Sequence, residues 1–432
     1  MVIGQIPRIP KKIKTIFAKY MEKVVITGMG CISPVGNNIE TLWSNLTAGY
    51  CGIGSIQSID ATNLPVKVAA EVKGFDPEAF GIDKTMIRHN DRFALFALAA
   101  AAQAMADSGL RVGEDIDPRR FGTAIGSGVG GIQTFEREHT NKMQSGLRRI
   151  SPLFIPEMIV NIAGGNVAIT YNAQGPNIPI VTACATGTHS VGEAYRLIRE
   201  GRADAVITGG TESAICEMAI GGFANMKALT TAEDPMAASL PFDARRHGFV
   251  LGEGCGILIL ESETLAKKRG AKIYAEVCGY GNTCDAHHYT APHPECRGGA
   301  ESMRLALEEA RFKSDERLYI NAHGTGTPLN DKGETKGIKT ALGEEGARKA
   351  MISSTKSMHG HMLGATGAIE LIISTLALRD GIIPPTIHLD EPDPECDLDY
   401  TPHTARQWQA DIAISNTFGF GGNNATVALR KF

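Results

Sequence analysis

Short apolar runs alternate with longer stretches rich in alanine and leucine along most of the chain. Several of the short runs are rich in β-branched residues and lead into glycine, which is typical of strands. Such an alternation predicts an α/β fold in which helices cover the faces of a sheet. The predicted strands are KVVITG (23–28), FGTAIGS (121–127), IPIVTA (178–183), DAVITGG (204–210), IYAEVCGY (273–280), LYINAHG (318–324) and IAISNTFGF (412–420).

Apolar residues at helical spacing predict helices between these strands. The longest apolar stretch, Phe93–Ala106, is interrupted by Gln103 and is shorter than the ~18 residues that a membrane span requires. We therefore expect no association with a membrane. The predicted helices are Ile39–Thr47, Arg92–Asp107, Ala185–Arg199, Glu301–Ala310, Thr335–Ala341 and Gly367–Arg379.

Two segments of the chain are similar to each other. CATGTHSVGEAYRLIREG begins at Cys184, and HMLGATGAIELIISTLALRDG begins at His361. In each, a glycine follows three positions later and a glutamate nine positions later, before an apolar helix that ends at glycine. Chance explains this similarity as well as a duplication does; a duplication would place Cys184 and His361 at equivalent helix N-termini.

The composition is that of an ordinary globular protein, since 43% of the 432 residues are hydrophobic and 21% are charged. It excludes disordered, collagen-like and coiled-coil chains. At ~150 residues per domain, the length fits two or three domains or one large layered unit. The nine cysteines are odd in number and have no CxxC spacing, so we expect reduced thiols in a cytosol-like compartment and no metal site.

The charge is distributed unevenly along the chain. Residues 1–21 carry five basic side chains and no acidic one, whereas residues 22–432 carry 38 basic and 47 acidic side chains, a net charge of −9. This balance argues against a nucleic-acid-binding protein. The basic N-terminal extension is compatible with an arm, with an organelle presequence or with a start at Met21. We expect a cytoplasmic protein, or an organellar one if the extension is part of a presequence.

Two strand ends carry residues suited to catalysis. Cys184 follows a predicted strand and precedes a helix, where free N–H groups and the positive end of the helix dipole favour a thiolate. This is a suitable position for a nucleophile, although most single cysteines are simply buried. His323 enters a turn in which Thr325 and Thr327 offer hydroxyl groups to a ligand.

A third cluster, residues 353–370, contains Lys356, His359 and His361 in a short turn before a helix. One lysine, several histidines and a thiol suit acyl chemistry better than metal chemistry, because no third metal ligand is placed by spacing. GSGVGG (126–131) follows a strand but lacks the full dinucleotide-binding spacing, so we interpret it as a turn. In FGFGGNNA (418–425), Phe418 and Phe420 alternate with glycines and could gate an apolar pocket.

Together these segments resemble the β-ketoacyl-acyl-carrier-protein synthases, in particular the KAS II type of bacterial and plastid fatty-acid synthesis. The resemblance covers essentially all of residues 22–432. It depends on eight ordered motifs: VVITGMGCISPVGN, ISPLFIPEMIVN, TACATGTH, DAVITGGTES, PFDARRHGFVLGEG, NAHGTGTPLND, TKSMHGHMLGATGAIE and SNTFGFGGNN.

The resemblance implies a thiolase fold, a five-layer α-β-α-β-α sandwich of two halves related by a pseudo-two-fold axis. We place the halves at residues 22–272 and 273–432. The family implies an acyltransferase, a homodimer that elongates fatty acids by two carbons. Its substrates are acyl and malonyl groups carried by the phosphopantetheine of acyl carrier protein, and it needs no organic cofactor.

The resemblance also implies roles for individual residues. Cys184 would take the acyl chain as a thioester, and His323 and His361 would promote decarboxylation of the malonyl group. Lys356 matches the family lysine. The other implied roles are support of the site (Asp331, Glu370), the oxyanion hole (backbone N–H of Cys184 and Phe420), gating of the acyl pocket (Phe418, Phe420), binding of pantetheine (Thr325, Thr327) and docking of the acidic carrier protein (Lys84, Arg88, Arg148, Arg149, Lys227).

The chain departs from the family pattern at His359, where a small or aliphatic residue is common, and at Asn423, where threonine is usual. Three other classes of protein share the fold and are alternatives. An aromatic polyketide ketosynthase has the same catalytic residues; a degradative thiolase needs a second cysteine near the C-terminus; a chain-length factor lacks the nucleophilic cysteine. Cys184 argues against the chain-length factor, and the position of Cys396 outside FGFGGNN argues against the thiolase.

Overall fold

The computed structural model describes residues 21–432, so the basic extension predicted at 1–21 lies, except for Met21, outside the described residues. Strands and helices alternate along the described chain. The strands are β1 (Val24–Ile32), β2 (Gly54–Ser55), β3 (Val68–Ala69), β4 (Phe121–Gly126), β5 (Ala205–Glu212), β6 (Gly254–Ser262), β7 (Ala275–Cys284), β8 (Leu318–Asn321), β9 (Met351–Ser353), β10 (Ile382–Ile383), β11 (Arg406–Gln407), β12 (Ile412–Gly419) and β13 (Asn423–Lys431).

The helices fill the connections between these strands, and the longest, α11, is kinked at Gly343. They are α1 (Ile39–Thr47), α2 (Lys84–Arg88), α3 (Arg92–Ser108), α4 (Ile132–Ser145), α5 (Phe154–Met158), α6 (Ile162–Thr170), α7 (Thr186–Arg199), α8 (Glu217–Asn225), α9 (Glu263–Lys268), α10 (Arg297–Glu309), α11 (Pro328–Lys349), α12 (Lys356–His359) and α13 (Thr366–Asp380). Within residues 21–432, none of the helices combines the length and apolar character needed to cross a lipid bilayer.

Nine strands form one continuous sheet in the order β4-β5-β6-β1-β7-β13-β12-β8-β9. From the antiparallel β1–β7 contact outward, the two halves have the same strand order. β1, β6, β5 and β4 of the first half correspond to β7, β13, β12 and β8 of the second, and in each half the two outermost of these strands are parallel. Beyond β4 and β8 come the bridge at Asn177 and strand β9, both parallel. This repetition confirms the duplicated, pseudo-two-fold arrangement.

Helices α7 and α13 form the layer between the two halves of the sheet. α7 packs against β4, β5 and β13, and α13 packs against β6 and β12, so each contacts strands of both halves. On the outer faces, α3 covers β1, β5 and β6, while α10 covers β7 and β13. The five-layer α-β-α-β-α order predicted from the resemblance is therefore confirmed.

The predicted equivalence of Cys184 and His361 is wrong by three residues. A 3₁₀ turn, Ala183–Ala185, precedes α7, and a matching turn, Leu363–Ala365, precedes α13. The residue that opens each turn has a positive φ, 51° at Ala183 and 44° at Leu363. The structure thus pairs Cys184 with Gly364, and the tripeptide ATG follows both.

Most predicted strands are present with shifted ends, but IPIVTA (178–183) is not a strand. It runs beside β4 and makes a single bridge, Thr123 to Asn177, with a backbone hydrogen bond from Ile178 N–H to the Thr123 carbonyl. No further bridge to β4 follows along residues 178–183. The sequence prediction also missed β6, whose apolar residues are buried on both faces and do not alternate with polar ones.

Candidate active site

A cavity of about 770 Å³ lies where the carboxyl ends of strands from the two halves meet. Most of the residues predicted for catalysis and binding line it, although they are far apart in sequence. They are Cys184, Lys227, His323, Thr325, Thr327, His361, Phe418 and Phe420. Lys356, Asp331 and Glu370 do not line the cavity and are fully buried behind it.

Cys184 occupies the middle of the 3₁₀ turn that precedes α7. The turn begins with Ala183 in the left-handed region, a strained conformation for a residue with a Cβ atom. Gly419 packs against it so closely that a Cβ there would lie 3.2 Å from the Cys184 nitrogen. The thiol therefore has a fixed position between α7 and the Phe420 turn.

Burial raises the pKa of the Cys184 thiol to about 12, although the charge of Lys356 and the backbone N–H groups of Cys184 and Phe420 lower it. The N–H groups do favour a thiolate, as expected at a helix N-terminus, but removal of the thiol from water outweighs them. The two N–H groups that face the sulfur are those predicted for the oxyanion hole.

His323 follows β8 and points into the cavity from a buried loop. Its backbone N–H and that of Gly324 donate to the two oxygens of Glu334, each at 2.8 Å. The ring lies with its centroid 5.4 Å from that of His361 and 5.6 Å from that of Phe418. Burial, with the nearby Lys356 charge and His361, holds the pKa of His323 well below its usual range, so the ring is neutral.

His361 lies just before the turn Leu363–Ala365. Its backbone N–H donates to the Val250 carbonyl at 2.7 Å, and its Nδ1 lies 3.1 Å from the Thr366 hydroxyl. Burial and the charge of Lys356 hold its pKa well below its usual range. When Thr366 donates to Nδ1, the hydrogen of the neutral ring resides on Nε2 and is available as a donor.

Lys356 and Glu370 form a buried ion pair behind the histidines. Lys356 Nζ donates to Glu370 Oε1 at 2.5 Å, and both side chains are at most 1% exposed. Burial raises the pKa of Glu370 to about 7, and the Lys356 charge opposes this effect. Although Lys356 does not line the cavity, its positive charge lowers the pKa of both imidazoles and of the Cys184 thiol.

Asp331 supports the threonine loop and does not contact the histidines. Its carboxylate accepts from the N–H of Phe242 at 2.8 Å and of Gly326 at 3.3 Å, and the Arg246 guanidinium lies 3.6 Å away. The hydroxyls of Thr325 and Thr327 lie 2.9 Å from each other at the cavity wall. Asp331 therefore shapes the loop between His323 and α11.

Sequence reasoning missed two buried glutamates. Glu334, which holds the His323 loop, follows Asp331 by three residues on α11, and this helical spacing could have identified it. Glu212 accepts from Ser127 Oγ and from the N–H groups of Gly128, Val129 and Gly364 at 2.7–3.1 Å. Because this carboxylate occupies the amides of GSGVGG, the segment is a structural turn, as predicted.

The turn Phe420–Gly422 covers the cavity on the side of the thiol. Asn423 Nδ2 donates to the Phe420 carbonyl at 2.8 Å, so the unusual asparagine braces the turn. The Phe420 ring lies 6.4 Å from that of Phe223 on α8. Both aromatic rings line the cavity, which gives it an apolar wall near Cys184.

His359 points away from the cavity and both its ring nitrogens are engaged. Nδ1 lies 2.8 Å from the Gly360 carbonyl, and Nε2 lies 2.9 Å from the Thr355 hydroxyl. Burial lowers its pKa to about 3. Among residues 21–432, no group of three or more histidine, cysteine, aspartate or glutamate side chains is arranged to hold a metal ion.

The predicted docking cations are exposed but do not form one cluster at the cavity. Lys227, in a left-handed conformation after α8, lines the cavity itself. The other four lie outside the cavity wall, on α2 (Lys84, Arg88) and on the 3₁₀ turn Leu147–Arg149 (Arg148, Arg149). All nine cysteines are free.

Comparisons with known proteins agree with this geometry. Residues 21–266 match the N-terminal domain of the β-ketoacyl synthases and residues 274–390 match the C-terminal domain. The chain is 49% identical over 411 residues to the 3-oxoacyl-[acyl-carrier-protein] synthase 2 of Staphylococcus aureus, which covers 95% of this chain and 99% of the relative. The synthase of the same name from Coxiella burnetii is 49% identical over 414 residues, with the same coverage.

Solved structures show the same relationship. A type II polyketide ketosynthase, in complex with its acyl-carrier protein and bound to the hexaketide, superimposes with a TM-score of 0.88 at 34% identity. The ishigamide ketosynthase/chain length factor gives 0.89 at 35% identity. Each match covers 95% of this chain and 100% of the solved one. With both family domains matched in order along the chain, this protein belongs to the β-ketoacyl synthase family.

Proposed function

We propose that this protein is a 3-oxoacyl-[acyl-carrier-protein] synthase of the KAS II type, which condenses a Cys184-bound acyl chain with malonyl-acyl carrier protein and loses CO₂. The observation that carries the proposal is the combination in one cavity of the Cys184 thiol, two backbone N–H groups facing its sulfur and two neutral imidazoles. The curated relatives of the same name, at 49% identity, support it.

In the first half-reaction, the Cys184 sulfur attacks the thioester carbonyl of the acyl substrate. The new S–C bond forms as the bond to the pantetheine sulfur breaks, and the thiol proton ends on that leaving sulfur. The carbonyl oxygen gains negative charge, and the N–H groups of Cys184 and Phe420 stabilise it. A neutral imidazole in the same cavity can hold the proton in transit because neither histidine is protonated beforehand.

In the second half-reaction, malonyl-acyl carrier protein loses CO₂ and the electron pair passes to its α-carbon. That carbon attacks the acyl carbonyl on Cys184, the bond from this carbonyl carbon to the sulfur breaks, and the released thiolate takes a proton from water. Loss of CO₂ removes the need for a base at the α-carbon. The remaining requirement is to stabilise an enolate oxygen, which the N–H groups of His323 and His361 can do.

We propose no resident cofactor, because both substrates bring their activated thioester with them. Acyl carrier protein is the proposed partner. Lys227 at the cavity mouth is the docking cation with the best supported position, since its charge would meet an acidic carrier where the pantetheine enters. Thr325 and Thr327 line the same cavity shortly after His323 in the chain and are the proposed pantetheine contacts.

We also propose a homodimer built on the edge of the sheet beyond β4. The segment beside β4 has an incomplete ladder and exposes Ile178 (41%) and Val181 (55%), and Ile169 on the neighbouring helix α6 is 80% exposed. An unpaired edge with apolar side chains favours pairing with a second copy.

A polyketide ketosynthase remains the competing reading, supported by fold neighbours of that kind at 34–35% identity. The 49% identity to fatty-acid-type synthases favours the proposal. The test is intact-mass analysis after incubation with acyl-acyl carrier protein, followed by CO₂ release from malonyl-acyl carrier protein. We expect one acyl adduct on Cys184, none in Cys184→Ala, and a product longer by two carbons. No adduct and no CO₂ release would refute the proposal.

A further inference from the structure

His189 is a buried histidine that the mechanism above does not use. It lies in the first turn of α7 and is 3% exposed. Its Nδ1 lies 2.7 Å from the Thr182 hydroxyl, and its Nε2 lies 3.1 Å from Asn282 Oδ1. Because an amide oxygen only accepts, Nε2 carries the hydrogen and the Thr182 hydroxyl donates to Nδ1. Burial lowers the pKa of His189 to about 4, so this pattern persists at neutral pH.

On one side, His189 holds the residue that precedes the strained start of the Cys184 turn. The Thr182 backbone N–H donates to Thr186 Oγ1 at 2.9 Å, and its side chain is held by the imidazole. Ala183 follows with a φ of 51°. A strained conformation of this kind persists only when its neighbours fix it.

On the other side, His189 holds strand β7, which pairs with strand β13 just after the Phe420 turn. Asn282 on β7 pairs with Ala425 of β13, shortly after the turn Phe420–Gly422. The two segments also touch directly, since a Cβ on Gly419 would lie 2.8 Å from the Thr182 carbonyl oxygen. A shift of Thr182 would therefore change the spacing of the two N–H groups that face the Cys184 sulfur.

We propose that His189 is a positioning residue that joins the two halves of the oxyanion hole through Thr182 and Asn282. This inference rests on the proposed function, because the oxyanion hole is needed when an acyl thioester reacts with Cys184. The ring neither gains nor loses a proton in the reaction. Its contribution is to keep the Cys184 and Phe420 N–H groups aimed at one oxygen.

The test compares two reactions of the same thiol. Acylation of Cys184 by acyl-acyl carrier protein develops an oxyanion, whereas its alkylation by iodoacetamide does not. In His189→Phe, which keeps a ring and removes both hydrogen bonds, we expect acylation to slow about tenfold or more, as for a weakened oxyanion hole. Alkylation should stay within about threefold of the parent rate.

Thr182→Val removes only the hydroxyl, so it perturbs the protein less than His189→Phe and carries little risk to folding. Thr182→Ser, which keeps a hydroxyl, is the matched control. We expect Val to slow acylation and Ser to restore it. Because both changes break the same hydrogen bond, between Thr182 and His189, the double variant His189→Phe/Thr182→Val should be less impaired than the two single losses multiplied together.

Acylation within twofold of the parent in both His189→Phe and Thr182→Val would overturn the inference. So would a parallel loss of acylation and alkylation, which would mean that the ring only supports the fold. A parent protein that is never acylated at Cys184 would instead refute the proposed function, and this inference with it.

Discussion

At the scale of single residues, the thiol of Cys184 combines two opposing influences. It lies at the N-terminal end of α7 and faces two N–H groups, yet it is only 9% exposed and burial raises its pKa to about 12. The thiol is therefore protonated in the resting protein. Its reactivity must come from partners that act as the substrate binds.

This pKa gives a direct prediction. As long as the pH is below the pKa, the thiolate fraction grows about tenfold for each unit by which the pH rises. The rate at which iodoacetamide modifies Cys184 should therefore keep rising from pH 7 to pH 10. An ordinary thiol is half ionised near pH 8.5, so its rate levels off about one pH unit above that value. The exposed Cys284 is the internal control, and peptide mass spectrometry separates the two sites. A plateau for Cys184 below pH 9 would contradict the assigned pKa.

The Lys356–Glu370 pair leads to a second prediction. Removing one member of a buried ion pair leaves an unpaired charge and costs roughly 3–5 kcal/mol of unfolding free energy. Lys356→Met should show this loss in urea denaturation, and Lys356→Met/Glu370→Leu should recover most of it. Condensing activity should stay low in both, because the charge that acts on the thiol and the imidazoles is gone in both. Equal activity of the double variant and the parent would remove Lys356 from the mechanism.

At the scale of elements, the duplicated fold contains two equivalent turns but only one presents a free N–H group to the cavity. In the first, the Cys184 N–H faces the sulfur. In the second, the N–H of Gly364 donates to Glu212 at 3.0 Å. The carboxylate thus closes the second turn from within the protein, and Gly364, which has no side chain, offers no nucleophile there.

The two central helices meet at glycines, and this contact is testable. A Cβ on Gly187 would lie 2.8 Å from both the Ala368 nitrogen and the Gly364 carbonyl oxygen, atoms of backbone that cannot move separately. Gly187→Ala should therefore lower the free energy of unfolding by about 2 kcal/mol or more. Gly221→Ala on α8 is the matched control, because a Cβ there meets nothing within 4 Å. It should be neutral or stabilising by up to about 1 kcal/mol; equal losses in both would contradict the close contact.

Local patterns predicted these elements well where a helix or strand has a distinct polar boundary. α1 has the predicted bounds, and the predicted helices that follow Cys184 and His361 shift by at most one residue at either end. The helix predicted at Thr335–Ala341 is the middle of the longer α11. β6 was missed because a strand buried on both faces lacks alternation. IPIVTA was mispredicted because its composition is that of a strand, whereas its pairing with β4 stops after a single bridge at the edge of the sheet.

The site was predictable from sequence as far as residue type and family motif determine it. Cys184, His323 and His361 fall in one cavity as predicted. The roles of Glu212 and His189 could not be predicted, because their partners are contributed by segments that are distant in sequence. The sign of the Cys184 pKa shift was missed for the same reason, since burial depends on tertiary packing and not on the local helix end.

At the scale of the whole molecule, the apolar sheet edge predicts self-association. The parent should sediment as a dimer, and Ile169→Glu/Ile178→Glu should shift it towards a monomer, because charges would be buried against a copy of themselves. Phe432→Glu changes another exposed apolar residue (53%), beyond the end of β13, and should remain dimeric. A monomeric parent, or dissociation of the control as well, would contradict the proposed edge.

Residues 22–432 have a net charge of −9, so the surface as a whole repels an acidic carrier protein. Docking of the carrier therefore depends on basic side chains at one place on the surface. Lys227 is the cation at the cavity mouth, so its charge should affect substrates that arrive on the carrier and not small thioesters. Lys227→Glu should raise KM for acyl-acyl carrier protein about five- to tenfold, and Lys227→Asn, which tolerates the left-handed backbone, by less.

Steady-state kinetics with both kinds of substrate check this prediction. KM for an acyl thioester of N-acetylcysteamine should change less than about twofold, and Lys349→Glu, an exposed lysine at the end of α11, should leave both values unchanged. Salt at 1 M shortens the screening length to about 3 Å, so the difference between Lys227→Glu and the parent should shrink there. An equal rise in KM for carrier-bound and small substrates would place Lys227 in the acyl or pantetheine path and leave carrier recognition to other cations.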